Sequence, residues 1–164
     1  MELRAYTAAD AHAMSVVFLR AVRETARAHY SPEQVEAWAA NFGDLASWAA
    51  ARAAARTHLA IVDGHVAGFI DLNDDGYIDM LFVDPEFGRQ GVASALLASV
   101  VALARQCGLP ALTTFASLTS RPVFERHSFL ITGERYFGEG DHAAKTYAMR
   151  CVLDATTTTS AISS

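Results

Sequence analysis

The spacing of apolar residues along the chain changes near residue 58, from the period of helices to that of strands. Before this point, alternation at 3–6 predicts a short strand, and apolar residues three and four apart predict a helix over 8–28. Two further helices are predicted, from Ser31 onward and over 44–56. Ser31 and Pro32 form a typical helix start, because serine caps a helix and proline suits its first position.

Beyond residue 58, runs at 58–62 and 66–72 flank Asp63-Gly64, a strong signal for a β-hairpin turn. The remaining predicted elements are a strand at 77–83, a helix at 91–107, a strand at 111–116, a short helix at 121–127 and strands at 129–137 and 145–152. A strand, helix and strand in succession over 77–116 require one parallel crossover. We therefore predict the α+β class, with a mixed, mostly antiparallel central sheet flanked by helices.

Length and composition narrow the class of protein. The 164 residues suit one domain, taken as 1–154, followed by a Thr- and Ser-rich tail at 155–164 that we expect to be disordered. A hydrophobic content of 52% argues against a disordered chain, and no apolar run approaches the roughly 18 residues of a membrane helix. A net charge of −5 argues against nucleic acid as the partner. Two cysteines and an N-terminus without a secretory pattern favour the cytoplasm.

The most informative segment is 81–97, where a strand leads through a glycine-containing turn directly into a long helix. The free amides and the dipole at such a helix start bind anions. Gly91 and Ala93 are small enough for a pyrophosphate to approach the backbone, and Arg89 adds a positive charge. The segment matches neither the dinucleotide fingerprint nor the P-loop. An ordinary strand-to-helix connection, with Arg89 as a solvated surface charge, is the alternative interpretation.

Two motifs carry a resemblance to a known family. Val83-x-Pro85 followed by 89–93, Arg-Gln-Gly-Val-Ala, resembles the pyrophosphate motif V-x-P-x-x-[QR]-x-x-G-x-[GA] of the GNAT superfamily of acyl-CoA-dependent N-acyltransferases. The segment 116–129 is similar to the family's strand-to-helix segment, which typically ends Y/F-E-[KR]-x-G-F. The departures are Gly88 in place of Gln or Arg, Phe124 where many members carry a tyrosine that protonates the leaving thiolate, and Ser128 in place of glycine.

The resemblance implies the GNAT fold, acetyl-CoA as co-substrate and no metal. It implies that the pantetheine arm lies along the strand at 81–83, that backbone amides at the helix start hold the pyrophosphate, and that the segment around Ser117 and the short helix flanks the arm. The residues expected to contact the cofactor are Leu81, Phe82, Val83, Gly88, Arg89, Gln90, Gly91, Val92, Ala93, Ser94, Ser117, Pro122 and Phe124.

Direct attack of an amine on the thioester requires removal of a proton from the amine. Asp79 is the first candidate for the base, because it lies two residues before Leu81 on the same face of the strand; a charge paired with an arginine or histidine is its alternative interpretation. The lower-ranked candidates are Asp71, Glu134, His127 and His29. Tyr136 is a candidate hydroxyl in place of the missing tyrosine.

We therefore expect an acetyl-CoA-dependent N-acetyltransferase that acts on an amine of a small molecule or a protein. Two alternatives stay open: a non-catalytic acyl-CoA-binding sensor on the same fold, for which Phe124 is the argument, and an α/β interaction module without a ligand. The sequence leaves open the acceptor, the length of the acyl chain and the oligomeric state, with a homodimer as the family-level expectation. It predicts no nucleic-acid or membrane partner.

Overall fold

The computed structural model describes residues 1–154, so the tail expected at 155–164 lies outside the described residues. Five α-helices and eight strands make up the described part of the chain. In chain order these are β1 (Glu2–Ala5), α1 (Ala11–Arg20), α2 (Pro32–Ala40), α3 (Leu45–Ala54), β2 (Arg56–Val62), β3 (His65–Leu72), β4 (Tyr77–Ile78), β5 (Leu81–Val83), α4 (Val92–Gln106), β6 (Ala111–Ser117), α5 (Arg121–Arg126), β7 (Leu130–Phe137) and β8 (Ala144–Val152).

The strands form two four-stranded sheets. The first has the order β1-β2-β3-β5 and is antiparallel throughout, and the second has the order β4-β6-β8-β7. Only β4 and β6 pair in parallel within the described residues; β8 is antiparallel to both of its neighbours. The predicted α+β class, with its single parallel crossover and helices beside a mostly antiparallel arrangement, is confirmed.

The single strand predicted at 77–83 is wrong, because this run splits into β4 and β5 around Asp79 and Met80. β4 pairs with β6 and β5 pairs with β3, so the two sheets diverge at the split. The fully buried carboxylate of Asp71 accepts the N–H groups of Asp79 and Met80 through the same Oδ1 atom, each at 2.9 Å. A side chain therefore replaces the strand partner that these amides would otherwise need.

The helix predicted over 8–28 is interrupted. A short 3₁₀ turn precedes α1, and a π-helical turn at Ala21–Thr25 and a 3₁₀ turn at Ala26–Ala28 follow it. The start of α2 is confirmed: the Ser31 N–H donates to the Gln34 side chain at 2.9 Å, and the Gln34 N–H donates to Ser31 Oγ at 3.1 Å. These reciprocal bonds satisfy two amides that the helix start leaves without partners.

The core consists of two apolar clusters on opposite faces of the first sheet. Leu59 and Phe69 face α1, α2 and α3, whereas Ala60 and Ile70 face α4, as the alternation of side chains along a strand requires. Gly68 on β3 allows close contact with the neighbouring elements, because an added Cβ would lie 2.8 Å from the Phe82 carbonyl oxygen. This packing fixes the start of α4 beside β5.

Within residues 1–154, no helix combines the length and the apolar character that crossing a membrane requires.

Candidate active site

A cavity of about 460 Å³ opens between β5, the start of α4, the segment before α5 and the turns that follow α1. We call it the first cavity. Ten residues singled out from the sequence line it: Leu81, Phe82, Val83, Gly88, Arg89, Gly91, Val92, Ala93, Ser94 and Ser117. The strand at 81–83, the start of α4 and the end of β6 are therefore brought together at one surface.

The start of α4 faces this cavity without a side-chain cap. Gly91 is the N-cap residue with φ +80°, and the first helical backbone bond runs from the Ala95 N–H to the Gly91 carbonyl at 3.0 Å. The amides at 92–94 precede that bond, so they have no acceptor within the helix. An added Cβ at Gly91 would meet no atom within 4 Å, so within the protein only the backbone angle restricts this position. The result is a row of free N–H donors at the positive end of a fifteen-residue helix.

The turn before α4 is held in place by buried Asp84. Its carboxylate accepts the Glu86 N–H and a guanidinium N–H of Arg20, each at 2.9 Å. Arg20 belongs to α1, so this ion pair ties the turn to the helical layer. Downstream in the turn, Arg89 adopts φ +61°, a left-handed conformation that is unusual for a residue with a side chain.

Two cations line the first cavity, Arg89 and Arg126. The sequence analysis singled out Arg89 alone. Arg126 is the last residue of α5 and occupies the [KR] position of the second motif, so the signal was present in the sequence. Together the two guanidinium groups give this surface the charge that suits phosphate groups.

Three residues expected at the cofactor lie outside the cavity lining. The Gln90 side chain donates to the Glu86 carbonyl at 3.3 Å, and Pro122 is exposed on α5. Phe124 is buried in the core, where its ring packs edge-on against Phe129 with centroids 5.0 Å apart. The Phe124 side chain is therefore part of the apolar core and does not line the cavity. Ser128, which replaces the usual glycine, adopts φ +67°, a left-handed conformation that favours glycine.

A second cavity, of about 280 Å³, lies between the helical layer and the second sheet. Its lining is mainly aromatic. The lining residues are Phe18, Tyr30, Trp38, Asn41, Phe42, Trp48, Tyr77, Asp79, Met80, Phe82, Phe115, Ser117, Arg135, Phe137, Ala144 and Thr146. Trp38, Phe82 and Ser117 line both cavities, so the two spaces meet at the point where the sheets diverge.

Asp79 is the only carboxylate among the residues that line the second cavity. Its side chain is 43% exposed, and an Arg52 Nη lies 3.3 Å from the carboxylate. Arg52 is buried and forms a closer ion pair with Asp71, so one guanidinium joins two carboxylates. Burial raises the pKa of Asp71, while the Arg52 charge and the two backbone donors act in the opposite direction. Arg135 is the cation among the residues that line the second cavity.

Tyr77, on β4 two residues before Asp79, also lines the second cavity. Burial, reinforced by the negative charge of Asp79, raises the pKa of its hydroxyl to about 12. The hydroxyl therefore stays protonated at neutral pH and is available as a hydrogen-bond donor.

The other candidate bases lie elsewhere. Asp71 is buried beneath Arg52, and Glu134 is paired with Lys145 at 2.8 Å. Neither of the candidate histidines, His29 and His127, belongs to the lining of the two cavities. Tyr136, the candidate hydroxyl, is 62% exposed on β7 and is likewise absent from both linings. No group of three or more metal-ligating side chains occurs among residues 1–154.

A scan of family models gives one match, described as an acetyltransferase (GNAT) domain, which covers residues 26–149. The uncharacterized N-acetyltransferase YafP of Escherichia coli strain K12 is 41% identical over 129 residues, which are 79% of this chain and 81% of that protein.

Solved structures share the fold. The GCN5-related N-acetyltransferase of Rhodopseudomonas palustris has a TM-score of 0.88 and 28% identity, over 93% of this chain and 95% of that one. The yncA protein of Salmonella typhimurium, whose structure contains its cofactor acetyl-CoA, has a TM-score of 0.75 and 19% identity, over 94% of each chain.

Proposed function

The chain belongs to the GNAT acetyltransferase family, and on that premise we propose which reactant each of its two cavities binds during acetyl transfer from acetyl-CoA to an amine. The first cavity receives acetyl-CoA and the second receives the acceptor amine. The observation that carries this proposal is that the cavities meet at Phe82 and Ser117, directly beyond the free amides of α4.

The pyrophosphate of acetyl-CoA binds at the start of α4. The amides at 92–94 donate to its oxygens, and the absence of a side chain at Gly91 lets the phosphate approach the backbone. Gln90 contributes its backbone amide, because its side chain is occupied by the preceding turn. Arg89 and Arg126 supply positive charge on either side.

The pantetheine arm lies along β5. This strand is the edge of the first sheet, paired with β3 on one side only, so the N–H and C=O groups of its other side are free to bond to the amides of the arm. An arm in this position ends at the junction of the two cavities. There a backbone amide of Leu81 or Phe82 donates to the thioester oxygen and stabilises the oxyanion that forms during attack.

The acceptor nitrogen attacks the thioester carbonyl carbon from the second cavity. Asp79 accepts the proton that the ammonium must lose, because it is the carboxylate nearest the route of the amine. The tetrahedral intermediate then collapses: the C–S bond breaks, the amide forms and CoA leaves as a thiolate. An ordinary thiol has a pKa of about 8.5, so the thiolate is a good leaving group, and the buried Phe124 in place of a tyrosine is tolerable.

The proposal extends to location and assembly. We place the protein in the cytoplasm because its two cysteines are free, with Cys107 exposed. A homodimer is the proposed assembly because Leu130 on the edge strand β7 and Val152 on the neighbouring strand β8 are largely exposed apolar side chains. Light scattering tests the assembly, and a monomer at high protein concentration would contradict it.

Amine-dependent release of thiol from acetyl-CoA tests the function. With a panel of primary amines, we expect at least one amine to accelerate thiol release and to be recovered as its acetamide by mass spectrometry. Tight binding of acetyl-CoA with no turnover across the whole panel would instead support the sensor alternative.

Loss of the base is expected to slow the transfer step. Asp79→Asn is nearly isosteric, and we expect kcat to fall about a hundredfold or more, within the usual range for general-base loss, with an unchanged affinity for acetyl-CoA. The deficit should shrink as pH rises, because more of the amine is then already neutral. Glu134→Gln, which alters a carboxylate outside both cavities, is the control and should retain full activity. Full activity of Asp79→Asn at neutral pH would remove Asp79 from the mechanism.

A contact between Arg89 and phosphate predicts a different kinetic signature. Arg89→Ala should raise the KM for acetyl-CoA about tenfold with little change in kcat, because the lost contact is made equally in the ground and transition states. Arg105→Ala removes the same charge near the opposite end of α4 and should leave both constants unchanged. An unchanged KM in Arg89→Ala would identify Arg89 as a surface charge only.

A further inference from the structure

The walls of the second cavity consist largely of aromatic rings. Both tryptophans of the chain line it, together with two tyrosines and five phenylalanines. Aromatic residues make up only 10% of the sequence, so their concentration around one cavity requires a specific account.

The rings are fixed by contacts with one another. Phe18 meets Phe82 edge-to-face with centroids 4.8 Å apart and planes at 79°, and Tyr30 meets Trp38 at 5.7 Å and 86°. The Tyr30 hydroxyl makes two hydrogen bonds: it donates to the Lys145 carbonyl at 2.7 Å and accepts the Leu118 N–H at 2.9 Å. A cavity with walls held in this way is largely formed before a ligand arrives.

Core packing explains only part of this arrangement. Phe18 and Trp48 are buried, as core residues should be, but Phe115 on β6 is 39% exposed. Its ring stands at 6.0 Å from the ring of Tyr77, and the Arg135 guanidinium lies over it at 4.3 Å. Phe115 therefore lines an aromatic cavity with part of its ring accessible for contact with a ligand.

Polar groups form the smaller part of the wall. Asp79 is the only carboxylate of the lining and can pair with an amine nitrogen, and the other non-aromatic polar residues are Asn41, Ser117, Arg135 and Thr146. Nine of the sixteen lining residues are aromatic, so ring faces and edges are the main surface that the cavity offers to a ligand. A volume of about 280 Å³ accommodates one ring with a short arm more readily than a polypeptide segment.

We propose that the acceptor is a small primary amine carried by a short alkyl arm on a flat aromatic ring. The inference rests on the proposed function and specifies its substrate class. The ring lies between the aromatic walls, where offset and edge-to-face contacts favour it over a saturated ring of the same size. The amine reaches the junction of the two cavities, beside Asp79 and the thioester.

Matched acceptors test this proposal in the full-length enzyme. We expect kcat/KM for 2-phenylethylamine to exceed that for 2-cyclohexylethylamine about threefold or more, because aromatic pairs gain energy beyond the area they bury. It should exceed that for ethanolamine about a hundredfold, because ethanolamine leaves the apolar walls unfilled. A lysine-containing peptide should react no faster than ethanolamine.

A variant separates the aromatic contact from general damage. Phe115→Leu keeps an apolar side chain at an exposed site, and we expect it to lower kcat/KM for 2-phenylethylamine about fivefold, to lower the rate with ethanolamine by less, and to leave the KM for acetyl-CoA unchanged. Tyr136→Leu, which alters an exposed aromatic residue outside both cavities, should change none of these values.

The possible failures are distinguishable. Equal kcat/KM for the aromatic, saturated and polar amines, or faster reaction of the peptide, would overturn the acceptor class while the acetyltransferase function stands. No thiol release with any amine would overturn the function, and the acceptor class with it.

Discussion

Replacing Gly91 by glutamate is expected to abolish the binding of CoA while leaving the protein folded. The new carboxylate would occupy the space that the pyrophosphate needs, and its negative charge would repel the phosphates. No protein atom lies within 4 Å of the added Cβ, so the fold itself offers no steric obstacle. Calorimetric titration should show affinity reduced at least a hundredfold, and unchanged affinity in a folded Gly91→Glu protein would reject the assignment of the first cavity.

Two control variants isolate the cause. Gly91 has φ +80°, and for a residue with a side chain this backbone conformation costs about 1–2 kcal/mol of conformational free energy. Gly108 at the other end of α4 has φ +71° and equally open surroundings, so Gly108→Glu adds the same charge and similar strain away from the cavity. We expect Gly108→Glu to bind CoA normally. Gly91→Ala, which adds strain without charge, should bind CoA more tightly than Gly91→Glu does.

The second large effect is expected on stability. Arg52→Met keeps a long apolar side chain but leaves the fully buried carboxylate of Asp71 without its partner. Breaking a buried ion pair in this way costs about 3–5 kcal/mol, a large share of the free energy of unfolding of a domain. Chemical denaturation should show a free energy of unfolding that is lower by this amount. Asp79→Asn, which alters the half-exposed partner of the same arginine, should lose about 1 kcal/mol or less.

The loss in Arg52→Met should depend on pH. Without Arg52, burial holds the pKa of Asp71 above the unfolded value of about 3.9, so the charged carboxylate destabilises the folded state. Protonation removes this cost, so the stability deficit relative to the unaltered protein should shrink as pH falls toward the unfolded value of about 3.9. A deficit that is absent, or that grows as pH falls, would contradict this account of the ion pair.

Local signals in the sequence predicted much of the fold. The start of α2 at Ser31 depends on neighbours within a few residues, so sequence spacing is sufficient to anticipate it. The proposed acetyl-CoA side of the site lies largely in one continuous segment, 81–94, and the resemblance of the chain to the GNAT family is confirmed by the match over 26–149.

The features that escaped prediction depend on contacts between different elements of the fold. At the split between β4 and β5, the Asp79 N–H donates to the side chain of Asp71, eight residues earlier on β3. The alternation of apolar and polar residues along a strand cannot predict that bond. The second cavity draws Phe18, Tyr77 and Arg135 from three separate elements, and only the divergence of the two sheets makes them neighbours.

A crystal structure of the protein with acetyl-CoA tests the central claim most directly. The account predicts the pyrophosphate against the amides at 92–94, the pantetheine amides bonded to the free edge of β5, and the acetyl group at the junction formed by Phe82 and Ser117, open to the second cavity. Acetyl-CoA bound away from the start of α4, or with its acetyl group closed off from the second cavity, would contradict it.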